Sequence, residues 1–293
     1  MIKTQSINRP AGTRFGGTTI PTLKRWAIRI YPSGTTFRMS PKDTILRLLF
    51  LFLAVFPVMT TKAQSSNSPI TAASIDWKST RGGELKYLLY LPPDYTKSSD
   101  KKWPLMLFLH GAGERGTDVN RVAIHGPMSL VNQGTNFPFI IVAPQCPEGE
   151  IWDNEPLLQL LDRIQGTYAV DTNRVYLTGL SMGGYGSWRL GLGHPERFAA
   201  LAPICGGANM IEVILGSWDK ERCKQMLKLS IWAFHGAKDD VVPPIESERV
   251  INSLKKIGHK NIQLTVYPKA KHDSWKDAYA DQKFYEWLLK QSR

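Results

Sequence analysis

Apolar residues along this chain gather into short unbroken runs, separated by stretches in which they recur every three or four positions. The runs lie at residues 104–109 (PLMLFL), 139–143 (FIIVA), 175–177 (VYL), 199–204 (AALAPI), 231–234 (IWAF) and 262–267 (IQLTVY). Most lack the polar alternation of a half-exposed strand, so they predict strands covered on both faces. The intervening stretches predict helices. Leu157, Leu160, Leu161 and Ile164 form one stripe, with Asn154 as cap and Pro156 in the first turn. Val250, Ile251, Leu254 and Ile257 form another, opened by Pro244 and stopped by Gly258. Trp275, Tyr279, Phe284, Trp287 and Leu288 mark one last helix. Ahead of these, residues 75–78 and 85–91 flank Arg81-Gly82-Gly83 and predict a hairpin. Strand alternating with helix predicts an α/β fold: a doubly wound, mostly parallel sheet with helices on both faces and an N-terminal hairpin.

One apolar stretch does not fit that pattern. Lys42 and Arg47 precede an uninterrupted apolar run from Leu48 to Met59, and Thr61-Lys62-Ala63 follows as a small-residue cleavage signal. This is the layout of a secretory signal peptide, predicted over 39–63 and implying an exported, periplasmic or extracellular protein. The run is shorter than the roughly 20 residues that a membrane-spanning helix needs, so no stable anchor is expected after cleavage. Residues 1–38 carry no acid and no periodicity, and read as an upstream extension or disordered leader before a start at Met39. Residues 64–74 (QSSNSPITAAS) are small and polar and read as a flexible mature terminus, leaving 75–293 as one catalytic domain.

Charge then means less than it first does. The chain carries +12, but the first 63 residues hold ten of its 37 basic and one of its 25 acidic residues, so the remainder is near +3. No argument for a nucleic-acid partner survives that balance. Three cysteines without a C-x-x-C pair point away from zinc or redox chemistry, and one disulfide of unnamed pairing fits an exported chain. No metal-ligand spacing or phosphate loop appears, so no cofactor is implied. Oligomeric state has no signature in the sequence.

The chemistry-bearing segment is Gly179-Leu180-Ser181-Met182-Gly183, a G-x-S-x-G that follows a predicted strand and opens a helix. Ser181 on such a turn is a candidate nucleophile. A serine hydroxyl needs a base, and the base needs an orienting acid. Of six histidines, His110 and His235 end strands in His-Gly pairs and read as loop braces, while His125, His194 and His259 lie in polar connections. His272 remains, after the final strand and before the last helix. The acid belongs after the run 231–234, where Asp239 and Asp240 stand together and either can serve. An oxyanion needs two backbone N–H groups. Met182 supplies one, and Ala112 in His110-Gly111-Ala112-Gly113 is the candidate for the other.

The segments LPPDY, WPLMLFLHGAGERG, FPFIIVAPQCP, RVYLTGLSMGGYGSW, HPERFAALAPICGG, WAFHGAKDDVVP and VYPKAKHDSW resemble the phospholipase/carboxylesterase-like branch of the α/β-hydrolases, especially secreted bacterial peptidase-like and feruloyl-esterase-like proteins. That resemblance spans most of residues 85–290. It implies the acid at Asp239, the fifth place of an H-G-x-x-D segment, with Ser181, His272, Met182 and Ala112 in the other roles. It also implies an open site, since residues 207–229 leave little chain for a large lid. Trp152 and Trp275 are candidate walls of an acyl or sugar pocket, and fit equally as packing residues. The implied activity is hydrolysis of carboxylic esters, on small molecules or attached to polysaccharide, feruloyl esters among them. A serine peptidase of the prolyl-oligopeptidase type would use the same groups. A non-catalytic carbohydrate-binding protein would have no need of the complete set.

Overall fold

The computed structural model describes residues 69–78, 82–97 and 100–293. The expected leader (1–38) and signal segment (39–63) lie outside the described residues, as do residues 64–68 of the expected flexible stretch 64–74. Among the described residues no helix is long and apolar enough to cross a membrane.

Within the described residues, eight strands form one sheet: β1 (Ile70–Trp77), β2 (Gly83–Tyr90), β3 (Trp103–Leu109), β4 (Ile140–Pro144), β5 (Val170–Leu180), β6 (Ala200–Ile204), β7 (Ser230–Gly236) and β8 (Ile262–Tyr267). Among the described residues, eight α-helices connect or flank them: α1 (Gly126–Asn132), α2 (Asn154–Thr167), α3 (Met182–Gly193), α4 (Met210–Trp218), α5 (Lys220–Met226), α6 (Ile245–Lys256), α7 (Trp275–Ala280) and α8 (Gln282–Leu289). The spatial order is β1-β2-β4-β3-β5-β6-β7-β8. β1 and β2 form the antiparallel hairpin, β2 runs antiparallel to β4, and every later pairing is parallel.

The register accounts for the continuous apolar runs. Val142, Leu107, Leu177, Leu201, Ile231 and Ile262 lie side by side across six strands, and all belong to the core under α2, α3 and α6. Their neighbours Ile141, Met106, Tyr176 and Ala200 face the opposite way, into a second core with residues of α1, α7 and α8. Strands buried on both faces have no solvent side to mark with polar residues.

Three local expectations change. β1 begins at Ile70 and pairs through all eight of its residues, so 70–74 are strand rather than frayed terminus. As an exposed edge strand it is defined by its hydrogen bonds, which leave little mark in hydrophobicity. The cap of α2 is Asp153, whose side chain accepts from Glu155 N–H, not Asn154. The single last helix is two, broken at Asp281, whose carboxylate caps α8 through Lys283 N–H. Both bury residues in the same core, so the apolar stripe runs across the break.

Candidate active site

Parallel strands place their reactive groups at the carboxyl ends. The ends of β3, β5, β7 and β8 converge here, carrying the loops after Leu109, Leu180, Gly236 and Tyr267.

Ser181 stands between β5 and α3 at φ 53° and ψ −116°, a left-handed conformation that a serine adopts only under strain. Two glycines make the turn geometrically possible. A Cβ on Gly179 would fall 2.4 Å from the Gly183 carbonyl oxygen, and one on Gly183 would fall 1.9 Å from that of Leu109. The Ser181 N–H donates to Ile204 O at 3.0 Å, tying the turn to β6.

His272 lies with Nε2 2.8 Å from Ser181 Oγ and Nδ1 2.8 Å from Asp239 Oδ2. Asp239 is buried, and its other oxygen accepts from Val241 N–H (3.0 Å) and Val242 N–H (2.9 Å). The neighbouring Asp240 is exposed. The hydrogen-bonded line is therefore Ser181, His272, Asp239. His235 adds a contact that sequence reasoning did not assign: its Nε2 lies 2.8 Å from Val242 O and 3.3 Å from Asp239 Oδ2, and its Nδ1 lies 2.7 Å from Ser247 Oγ. The i,i+4 spacing of His235 and Asp239 was the available signal. It could not be read without knowing that the turn folds back.

Sγ of Cys205, the Asp239 carboxylate and the His272 ring offer ligand atoms within 4.8 Å of one another. The arrangement is poorly suited to a metal, since His272 Nδ1 and Asp239 Oδ2 are bonded to each other. Burial pushes the Cys205 thiol up to about 12, so it stays a neutral thiol rather than a ligating thiolate. All three cysteines are free.

A cleft of about 600 Å³ opens beside the nucleophile turn, lined by Ile151, Trp152, Met182, Tyr185, Arg189 and Glu212 among others. Residues 207–229 hold α4 and α5, and α4 contributes Glu212 to one wall. Trp152 borders this cleft but is 4 % exposed, with its indole N–H donating to His110 O at 3.1 Å. Trp275 stands edge-on to the His272 ring, 5.5 Å away, and lines a smaller hollow of about 260 Å³ with Ile124 and His125. Ala112 and Gly113 are exposed after β3.

Burial lowers His110 to about 4, well under the ordinary histidine range. A depressed histidine is neutral when folded and takes up a proton on unfolding, so stability falls with pH from about 6.5 towards 4. The expected loss from this residue between pH 7 and 4.5 is about 1–3 kcal/mol, measured by urea unfolding at both values. His110→Asn, with no ring to protonate, should show a shallower loss, and an equal slope in both proteins would refute the assignment.

The chain matches the esterase family over residues 78–242, which is more than half of its 293 residues. Residues 215–293 also match the prolyl oligopeptidase family. It is similar to a bifunctional acetylxylan esterase/xylanase of Neocallimastix patriciarum, with 28% identity over 174 residues, covering 57% of this chain and 23% of that protein. The chain spans less than half the length of each curated relative reported for it. Among solved structures it is similar to a thermostable esterase at 33% identity and TM-score 0.61, covering 76% of this chain and 63% of that one. A feruloyl esterase module of Clostridium thermocellum, complexed with sinapinate, shares the fold at 17% identity and TM-score 0.55, covering 75% and 86%.

Proposed function

From the premise that the chain belongs to the esterase family, and is a serine ester hydrolase of α/β-hydrolase fold, we propose that Ser181, His272 and Asp239 carry the reaction as nucleophile, base and orienting acid. The observation that supports this most is the pair of 2.8 Å contacts linking the three side chains. Ser181 Oγ attacks the ester carbonyl as its proton passes to His272 Nε2. Asp239 accepts from His272 Nδ1–H and stabilises the imidazolium. The carbonyl oxygen takes the negative charge between the N–H groups of Met182 and Ala112, at the N-terminus of α3. Collapse of the tetrahedral intermediate breaks the bond to the alcohol, which leaves with the proton from His272. Water, deprotonated by His272, then releases the acid and regenerates Ser181.

The substrate class we favour is an acyl ester, acetyl or feruloyl, carried on plant-type polysaccharide. It is supported by the similarity to a protein named as an acetylxylan esterase and by an open cleft bordered by aromatic rings. Export by the segment 39–63 belongs to the same reading, since such polymers do not enter cells. The 215–293 match to prolyl oligopeptidases favours a peptidase as second reading. A panel of p-nitrophenyl acetate, methyl ferulate, acetylated xylan and a peptide p-nitroanilide separates them, combined with fluorophosphonate labelling and peptide mass mapping. The expected outcome is ester turnover, little anilide cleavage and the label on Ser181. Anilide turnover above all esters would reverse the choice, and a label elsewhere would displace Ser181.

A further inference from the structure

We propose that His110 is a positioning residue for the oxyanion site: by holding the Gly111 carbonyl it turns the Gly111–Ala112 peptide so that the Ala112 N–H faces the cleft. The proposal rests on the reading of Ser181 and the Ala112 N–H given above.

A trans peptide is planar, with its C=O and N–H pointing in opposite directions. Whatever fixes the Gly111 oxygen therefore fixes the direction of the Ala112 N–H. His110 Nδ1 lies 2.6 Å from Gly111 O, with the ring 1 % exposed, and is the shorter of that oxygen's two contacts, the Glu114 N–H reaching it only at 3.4 Å. The tautomer follows from the other nitrogen. Nε2 lies 2.9 Å from the Cys146 N–H, which can only donate, so Nε2 accepts and Nδ1 carries the proton. The Glu114 carboxylate approaches the same Nδ1 only to 3.9 Å, too far to take that proton from Gly111 O. The ring is neutral across the working range, so the bond does not come and go with pH.

The rest of the loop is held in the same manner. The Trp152 indole N–H donates to His110 O, Arg115 Nε to Ala112 O at 3.0 Å, Arg121 to Gly113 O, and the Gln145 amide to Glu114 O at 2.9 Å. Each carbonyl from His110 to Glu114 thus has a donor, while among the described residues nothing accepts from the Ala112 N–H. The same device serves the other side of the site. Ser181 O accepts from Tyr185 N–H at 3.0 Å, which leaves the Met182 N–H directed out of the helix end.

His110→Asn, His110→Gln and His110→Ala test the assignment. Asparagine places an amide donor near the Nδ1 position, whereas glutamine places its polar group near Nε2. With p-nitrophenyl acetate, kcat is expected to fall by roughly 10 to 100-fold in the Gln and Ala variants, against roughly 10²–10³ for outright loss of an oxyanion donor. KM should change little. Affinity for phenylboronic acid, which adds to the serine and presents a tetrahedral oxygen, should fall by the same factor as kcat. The Asn variant should recover most of both. Wild-type kcat and boronate affinity in a folded Gln variant would overturn the proposal, as would an Asn variant no better than Ala. If none of the three folds, the wild-type Ala112 amide proton, followed by NMR, is the deciding measurement. It should move downfield when phenylboronic acid binds, and an unmoved resonance would refute the geometry. Ser181→Ala separates the two readings: if that variant keeps turnover, the nucleophile assignment fails whatever His110 does.

Discussion

Ser181→Ala is expected to lower kcat for p-nitrophenyl acetate by a factor on the order of 10³ to 10⁶ and to leave the fold intact. Without Oγ no acyl-enzyme forms, and what remains is hydrolysis by water held near the oxyanion donors. That residual is on the order of 10³ over the uncatalysed rate in serine hydrolases of this kind. The substitution removes one hydroxyl from a half-buried position and one hydrogen bond to His272. Such a bond contributes about 1 kcal/mol net, so the melting temperature should move by only a few degrees. The strain at φ 53° stays, because alanine is no more at ease there than serine. Groups that act as a unit lose activity once. Adding His272→Ala to Ser181→Ala should therefore cost little more, whereas two independent contributions would multiply. Steady-state rates on the single and double variants, with thermal melts as control, decide the matter. A folded Ser181→Ala protein that keeps more than about a tenth of wild-type kcat would remove Ser181 from the reaction.

The central sheet was legible because burial on both faces leaves its strands as unbroken apolar runs. Residues 262–267 were bounded as they fold. What the pattern missed had no hydrophobic trace. β1 is an edge strand, and five of its eight residues are exposed, so its first half resembled a loose polar tail. α7 and α8 share a buried face across Asp281, so the stripe hid the break. At the candidate site, residue types and chain order singled out Ser181 and His272, and the structure brings them within hydrogen-bond reach. The remaining relations are tertiary. That His235 touches Asp239, and that the Trp152 indole holds the His110 carbonyl, depends on how distant loops fold back. His110 was expected to brace a loop. The sequence held no sign of which carbonyl it would meet, and that carbonyl is the one whose peptide aims the Ala112 N–H.

Asp239 and Asp240 are where local sequence was least able to choose, and where the structure makes the sharpest demand. Asp239→Asn is expected to lower kcat by about 10⁴, and Asp240→Asn by less than about twofold, as is usual for an exposed side chain away from the chemistry. The argument concerns one proton. Oδ1 of Asp239 accepts from two backbone N–H groups, those of Val241 and Val242. An asparagine must keep its carbonyl oxygen there, which places its NH₂ where Oδ2 stood, 2.8 Å from His272 Nδ1. Two donors cannot face each other, so Nδ1 would give up its proton and act as acceptor. The proton would move to Nε2, which would then point N–H at Ser181 Oγ and could no longer take the serine proton. The variant keeps its shape and loses its base. Asp239→Ala offers a further discrimination, since it imposes no tautomer: it should retain more activity than Asp239→Asn despite removing more atoms. Kinetics on the three variants, with the His272 ring-nitrogen shifts read by NMR, give the test. An inactive Asp240→Asn beside an active Asp239→Asn would reverse the assignment. An Asp239→Asn protein with Nδ1 still protonated would break the tautomer argument even if activity were lost.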